Sequence, residues 1–328
     1  MSKNILVTYE PADEQRKIYR EILKDPAQVY FLQEESENNR SRLLKAADIV
    51  IALSFSQKEI HSDEIPLLQN TRFIQLIYAG ADKIPFEHIP AGIILAGNVG
   101  AFAGPIAEHV LALTLALAKK LIPKNKLLQD GKFDRTGFNQ EIRGGICGIV
   151  GFGGNGRKIA RAMQAMDMQI YGINRSGQTD AAVDFIGTVD DLRKVLEASD
   201  VLVLSAPLTR ATRDMIGKKE LAWMKKDAIL INVGRGGVVN QKALYEHLKS
   251  HPQFRAGIDT WWSEPMEPGP FKLEYPFFEL PNIIGSPHCA DHVPGAMTNA
   301  TRSALENVKN FLRGSEIRGR LNRQDYLA

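Results

Sequence analysis

Short continuous apolar runs alternate along the chain with longer segments whose apolar residues recur at helical spacing. Segments 4–9, 28–31, 49–53, 73–77 and 93–96 form a first series of such runs. Ile-Val-Ile-Ala-Leu at 49–53 is apolar at every position rather than at alternate ones. That pattern predicts a strand buried on both faces of a parallel sheet. The intervening segments then supply helical crossovers, and the series reads as βαβ units with helices on both faces.

Near Asn98 the pattern changes. Gly97, Gly100 and Gly104 cluster, and a long helix is predicted over 105–128, with Pro105 in its first turn, where a missing N–H costs nothing. A second series of runs follows at 145–150, 169–173, 201–204, 228–232, 254–259 and 282–285. Six strands with helices between them are enough for a second doubly wound sheet. A last helix is predicted over 295–312, ending near Gly314, and the polar, basic tail beyond it is expected to pack lightly or fray. There is no internal repeat and no low-complexity segment.

Composition narrows this picture without naming a function. The 328 residues suggest two domains, and 44% hydrophobic with 24% charged residues excludes disordered and fibrous classes. The 41 basic and 38 acidic residues give a net charge of +3 and are interspersed, so nucleic acid and membrane surfaces are not expected partners. The apolar stretch 110–118 is too short to span a bilayer, and the N-terminus runs straight into a strand-like segment with no visible signal peptide. Cys147 and Cys289 show no metal-ligand spacing. A cytoplasmic protein with free thiols and no metal is expected.

The first candidate chemistry lies between a strand and a helix. The run 146–150 is followed by Gly151-Phe-Gly153-Gly-Asn155-Gly156 and then a helical stretch at 157–166. In that context GxGxxG predicts a pyrophosphate cradle. The first glycine permits a tight turn, the second lets the backbone approach the ligand, and the third allows close helix–strand packing. A ligand-free glycine turn is the alternative.

The end of the next strand selects the dinucleotide, and an acid there would bond the ribose 2′-hydroxyl of NAD. The sequence instead reads Tyr171-Gly-Ile-Asn174-Arg175-Ser176. Asn174 brings no carboxylate to repel a 2′-phosphate, Arg175 offers a charge-assisted fork, and Ser176 adds a hydroxyl donor. NADP is therefore expected, with NAD possible. A merely solvated Arg175 is the bland reading.

Three more segments end strands of the second series. They are Asn232-Val233-Gly-Arg235-Gly236, Asp259-Thr-Trp-Trp-Ser-Glu264-Pro265 and Ser286-Pro-His288-Cys289. Strand C-termini of an open parallel sheet face one crevice, so an arginine, a glutamate and a histidine placed there can converge. Each alone is unremarkable. Together, after a dinucleotide loop, they supply the parts a 2-oxo-acid reduction needs.

With Tyr78-Ala79-Gly80-Ala-Asp82, Ala107-Glu-His109 and Ala206-Pro207-Leu-Thr209, seven motifs stand in one order along nearly the whole chain. In them the chain resembles the D-isomer-specific 2-hydroxyacid dehydrogenases, in particular their glyoxylate and hydroxypyruvate reductase branch. The resemblance implies two doubly wound parallel-sheet domains. A Rossmann cofactor domain at 99–289 would be inserted into a flavodoxin-like substrate domain made of 1–98 and 290–328. It implies hydride transfer between NADP(H) and a small 2-oxo acid or D-2-hydroxy acid, with glyoxylate or hydroxypyruvate as the leading substrates.

Carried over by motif, His288 is the general acid and base and Glu264 bonds its other ring nitrogen, fixing the tautomer and favouring the imidazolium. Arg235 binds the substrate carboxylate and polarises the 2-oxo group. The loop at Ala79 and Gly80 cradles the same carboxylate through backbone N–H groups. Gly151, Gly153, Asn155, Gly156, Asn174, Arg175, Ser176, Pro207, Thr212, Val233 and Asp259 are assigned to the dinucleotide, Asp259 to its carboxamide. The helix over 105–128 resembles the family's dimer-forming element, which implies a homodimer. His109 is expected to be a packing or domain-contact residue, and Trp261 and Trp262 are expected to be packing residues.

Other readings remain. A formate-type relative has an amide in place of the glutamate, which Glu264 opposes. A phosphite-oxidising relative keeps all three catalytic groups. A phosphoglycerate dehydrogenase often carries a further C-terminal domain, which is not expected here. From another class, a dinucleotide-sensing binding protein shares the fold and the trio.

Overall fold

The computed structural model describes residues 3–23, 27–265 and 269–327. The chain divides into two compact units, Met1–Phe102 with Val293–Ala328, and Ala103–His292. The junctions fall at 102/103 and 292/293, where the sequence reading places them at 98/99 and 289/290.

The first unit holds β1 (Lys3–Val7), α1 (Asp13–Ile22), β2 (Ala27–Phe31), α2 (Glu37–Ala46), β3 (Ile49–Ala52), β4 (Phe73–Leu76) and β5 (Ile94–Ala96). All pairings are parallel, in the order β2-β1-β3-β4-β5. This is the flavodoxin-like order, with its direction reversing between β1 and β3. Every side chain of β3 and β4 is buried, Gln75 of β4 included, as strands covered on both faces require.

At the C-terminal end of β3 the chain buries a carboxylate. Glu59 accepts the N–H groups of Leu53 (2.7 Å), Ser54 (2.9 Å) and Ser56 (3.0 Å) and the Thr8 hydroxyl (2.9 Å). These bonds bend the chain into the Ser54–Ser56 turn, where Phe55 has a φ of +60°.

The second unit holds α3 (Ala103–Ala118), α4 (Leu121–Gln129), β6 (Ile146–Val150), α5 (Gly154–Gln164), β7 (Gln169–Ile173), β8 (Phe185–Gly187), α6 (Leu192–Ala198), β9 (Val201–Leu204), α7 (Lys218–Trp223), β10 (Ile229–Asn232), α8 (Gln241–Ser250), β11 (Arg255–Ile258) and β12 (Ile283–Gly285). The final helix α9 (Ala296–Arg313) returns to the first unit. The second sheet runs β12-β11-β10-β9-β6-β7-β8, all parallel. Its order reverses between β6 and β9, so the crevice for a ligand lies beyond the carboxyl ends of those two strands.

Three expectations need correction. The sheet has a seventh strand, β8, whose three residues were too short to stand out. The long helix predicted over 105–128 is two helices, broken where Lys120 takes φ +53° and ψ +40°. Pro123 explains the break. Inside a continuous helix its ring would collide with the Lys119 carbonyl, whereas restarting at Leu121 places it in a first turn.

The tail, expected to fray, is instead tied down. Leu321 N–H donates to Leu95 O and Gly97 N–H to Gly319 O, both at 2.9 Å, covering the open edge of β5. Arg323 donates to the carbonyls of Ile89, Pro90 and Ile93. Tyr326 stacks on Phe86 with ring centres 4.8 Å apart.

Candidate active site in the second unit

The glycine loop leaves β6 and enters α5, whose Gly156, Ile159, Ala160 and Met163 are buried at helical spacing. Gly151 has a φ of +94°, and a Cβ there would lie 2.4 Å from Ala206 N. A Cβ on Gly156 would meet Gly151 O at 2.8 Å. Both positions therefore require glycine for the turn and its packing. Gly153 does not: its φ is −108°, and a Cβ there would find nothing within 4 Å. Glycine is thus spent on open space at a helix N-terminus, where first-turn N–H groups lack helical partners. A pyrophosphate fits that cradle, since its close approach is what a Cβ at Gly153 would block.

At the end of β7 the side chain of Asn174 closes its own loop. Its Oδ1 accepts Gly177 N–H at 2.7 Å and the Ser176 hydroxyl at 3.2 Å, and its Nδ2 donates to Gln178 O at 2.8 Å. Arg175 is exposed at the tip of this turn. The nearby Asp180 pairs with Arg157, whose hydrogen bond and charge hold its carboxyl below the ordinary value.

The loops after β9 and β10 are stitched to the glycine loop. Ser205 Oγ donates to Gly151 O at 2.8 Å, and a Cβ on Gly234 would lie 2.6 Å from Ala206 O. The Thr212 hydroxyl donates to Pro207 O at 2.6 Å and accepts Thr209 N–H at 2.8 Å. Thr212 and Asn174, both assigned to the dinucleotide from sequence, therefore use their side chains to shape their own loops. Val233 is buried, its N–H donating to Leu204 O.

At this edge the structure pairs Glu264 with His288 and places Arg235 where its charge acts on Glu264. Asn232 folds the loop that presents Arg235, donating from Nδ2 to Arg235 O at 3.0 Å and accepting Gly234 N–H at 3.1 Å. Glu264 Oε2 stands 2.9 Å from His288 Nδ1, while Oε1 accepts Trp261 N–H at 2.8 Å. Burial pushes the Glu264 carboxyl up. The His288 hydrogen bond, the Trp261 N–H and the charges of His288 and Arg235 outweigh it and hold the group below the ordinary carboxylate value. An ionised Glu264 can only accept, so Nδ1 carries a proton and Nε2 is the nitrogen left for a substrate.

His288 itself has a left-handed backbone, φ +50°, at a cost of ~1–2 kcal/mol for a residue with a Cβ. Asp259 accounts for how that is held. Its carbonyl accepts His288 N–H at 2.9 Å, and its carboxylate accepts Cys289 N–H at 3.1 Å and Ala290 N–H at 3.3 Å. Ser286 Oγ donates to the same carboxylate at 2.6 Å. Asp259 is 1% exposed. The carboxylate for which the family resemblance implies a dinucleotide contact thus bonds the histidine loop.

His109 joins the network from α3. Its Nε2 is 2.8 Å from Ser286 Oγ and 3.5 Å from Asp259 Oδ1. The sequence predicts a packing or domain-contact residue there. Its place beside Glu108 at the opening of a mostly apolar helix is the available signal. Trp261 and Trp262 donate their indole N–H groups to Ser286 O and Val239 O and are packing residues here.

Ala79 and Gly80 belong to the first unit, in the loop that follows β4, where a Cβ on Gly97 would lie 2.8 Å from Ala79 O. Among the described residues no cluster of His, Cys, Asp or Glu could hold a metal ion, and no helix is long and apolar enough to cross a membrane. Both cysteines are free. Burial pushes the Cys147 thiol far up, and burial with the charges of Asp259 and Asp291 raises that of Cys289.

Residues 111–290 match the family described as D-isomer specific 2-hydroxyacid dehydrogenase, NAD binding domain. The glyoxylate reductase of Thermococcus kodakarensis is 30% identical over 304 residues, 90% of this chain and 90% of its own. The D-3-phosphoglycerate dehydrogenase of Archaeoglobus fulgidus is 29% identical over 269 residues, 81% of this chain and 50% of its own. The chain thus spans about half the length of the phosphoglycerate dehydrogenases it matches. Among solved structures, the glycerate dehydrogenase related protein of Thermoplasma acidophilum superposes with a TM-score of 0.62 at 29% identity, over 94% of this chain and 99% of that one.

Proposed function

Because the chain belongs to the D-isomer specific 2-hydroxyacid dehydrogenases, we propose that it reduces a small 2-oxo acid to the D-2-hydroxy acid with NADP(H). The observation that carries this reading is the His288–Glu264 pair, with the charge of Arg235 reaching Glu264, on the sheet edge that bears the open Gly153 cradle. When bound there, the nicotinamide dinucleotide supplies the hydride.

The protein's own groups do the rest. Arg235 holds the substrate carboxylate in a fork and draws charge from the 2-oxo oxygen. His288 gives that oxygen a proton from Nε2, and in oxidation it takes the proton back. Glu264, ionised and held by Trp261, fixes the ring and stabilises its charged form.

Glyoxylate or hydroxypyruvate is the proposed substrate, on the likeness to the Thermococcus glyoxylate reductases. The exposed Arg175 with Ser176, at a corner without a carboxylate, supports NADP over NAD. A homodimer is supported by the exposed apolar side chains Leu121, Ile122 and Leu128 on α4 and Phe133 and Phe138 after it. Cytoplasmic residence agrees with the free thiols.

The test is turnover of glyoxylate, hydroxypyruvate, pyruvate and longer 2-oxo acids with NADPH and with NADH, and of phosphite with NADP+ and NAD+. We expect the highest kcat/KM with one of the first two acids, and a higher value with NADPH than with NADH. A ratio well below one removes the NADP assignment. Silence on every acid while dinucleotide still binds favours a dinucleotide-sensing binding protein, and turnover confined to phosphite favours a phosphite dehydrogenase.

A further inference from the structure

The proton inventory around Asp259 gives His109 a task that packing does not require. Ser286 has one hydroxyl proton. At 2.6 Å from a buried carboxylate that already accepts two backbone N–H groups, that proton belongs to the Ser286–Asp259 bond. Ser286 Oγ can then only accept from His109, 2.8 Å away, so His109 Nε2 carries a proton. The chain of donors is directional: His109 to Ser286, Ser286 to Asp259.

The far end of that chain is the backbone on either side of the catalytic histidine. Asp259 takes the N–H groups of residues 289 and 290, which a left-handed residue 288 turns toward one point, as in an anion nest. With the Ser286 hydroxyl committed and its carbonyl held by the Trp261 indole at 2.8 Å, the segment 286–290 is fixed from both sides.

We propose that His109 is a positioning residue. Its Nε2–H, relayed by the Ser286 hydroxyl, orients the Asp259 carboxylate that keeps His288 in its left-handed, Glu264-facing conformation. This rests on the reading of His288 as the proton donor. A misplacement of about 1 Å at such a group can cost on the order of a hundredfold in rate.

The test uses the whole chain with His109→Leu, His109→Gln and Ser286→Ala. Two readouts are needed: steady-state reduction of the best 2-oxo acid, and the indole 15N–1H resonance of Trp261, one of three tryptophans, which reports the 286–290 segment without turnover. We expect His109→Leu and Ser286→Ala each to lower kcat roughly ten- to a hundredfold, with KM for the acid changed far less, and to displace the indole resonance. His109→Gln, which keeps an N–H near the Nε2 position, should restore both. The double variant should be no worse than either single one, because both break one chain.

Wild-type kcat and an unmoved resonance in His109→Leu would overturn the proposal. So would a His109→Gln variant as impaired as His109→Leu, since shape rather than the donor would then matter. If the wild-type chain reduces no 2-oxo acid but the displaced resonance and its rescue persist, the functional reading fails and the positioning role stands.

Discussion

Glu264 Oε2 lies 2.9 Å from His288 Nδ1, and the other oxygen of the same carboxylate holds the Trp261 amide. The acid is anchored to backbone on one side and to the ring on the other, so its position and charge are both set before substrate arrives. Because the Glu264 carboxyl is held below its ordinary value, the pair is fully formed above the ordinary carboxylate range. It is lost as pH falls through the lowered value. Glu264→Gln keeps the shape and removes the anion, which weakens the imidazolium. We expect the pH–rate profile for reduction to move toward acid, with reduced kcat at neutral pH. A profile that stays in place would make Glu264 a structural residue.

The glycine loop makes a prediction that separates folding from binding. Gly151→Ala forces a Cβ into Ala206 at a φ of +94° and should lower Tm by several degrees. Gly153→Ala places its methyl in open space and should melt close to wild type. It should nevertheless weaken NADPH binding by roughly tenfold or more, because that space is where a pyrophosphate must sit. Calorimetric titration with NADPH beside a thermal melt checks both. Wild-type affinity in Gly153→Ala would mean that the loop is a turn and not a cradle.

These two loops also show what the sequence makes legible. The strands β3 and β9 declare themselves because a strand buried on both faces is apolar throughout. The motifs sit at strand ends because that is where a parallel sheet exposes backbone to a ligand. What escaped is set by tertiary contact. Phe185–Gly187 is a strand because β7 pairs with it, not because three residues prefer to be one. The tail is ordered by the free edge of β5, which no local pattern reveals. His109 and Ser286 are 177 residues apart, so their hydrogen bond leaves no spacing to read. Thr212 and Asn174 lie in loops after β9 and β7, and their polar atoms shape those loops, which no spacing in the sequence foretells.

Arg235 is presented by a loop that Asn232 braces and whose Gly236 is pressed against Trp261, since a Cβ there would lie 2.3 Å from the Trp261 carbonyl carbon. Its guanidinium also donates to Gly234 O at 2.9 Å. Arg235→Ala should raise KM for the 2-oxo acid and lower kcat, for a loss in kcat/KM of roughly ten- to a hundredfold, the worth of hydrogen bonds to a charged group. Arg235→Lys should recover part of it, since a lysine keeps the charge but not the fork. Dinucleotide affinity should be unaffected in both. Steady-state kinetics with varied acid at saturating NADPH decides this, and an unchanged kcat/KM in Arg235→Ala would remove the residue from the site.

In the first unit, stability should hinge on Glu59, which is 4% exposed and bonded to three backbone N–H groups of the turn after β3. Glu59→Ala leaves all three donors without an acceptor, and even with water admitted the loss should be about 3 kcal/mol. Glu59→Gln is more discriminating. If the amide nitrogen takes the place of Oε2, it faces Thr8, whose hydroxyl can accept from it and donate to Ile51 O instead, and it faces Leu53 N–H, which it opposes. Oε1 then keeps Ser54 and Ser56. One donor is lost rather than three, so Glu59→Gln should cost about 1 kcal/mol. Urea unfolding followed by far-UV circular dichroism should order the midpoints as wild type above Gln above Ala. Equal midpoints for Gln and Ala would mean that the charge, and not the number of accepted hydrogen bonds, holds this turn.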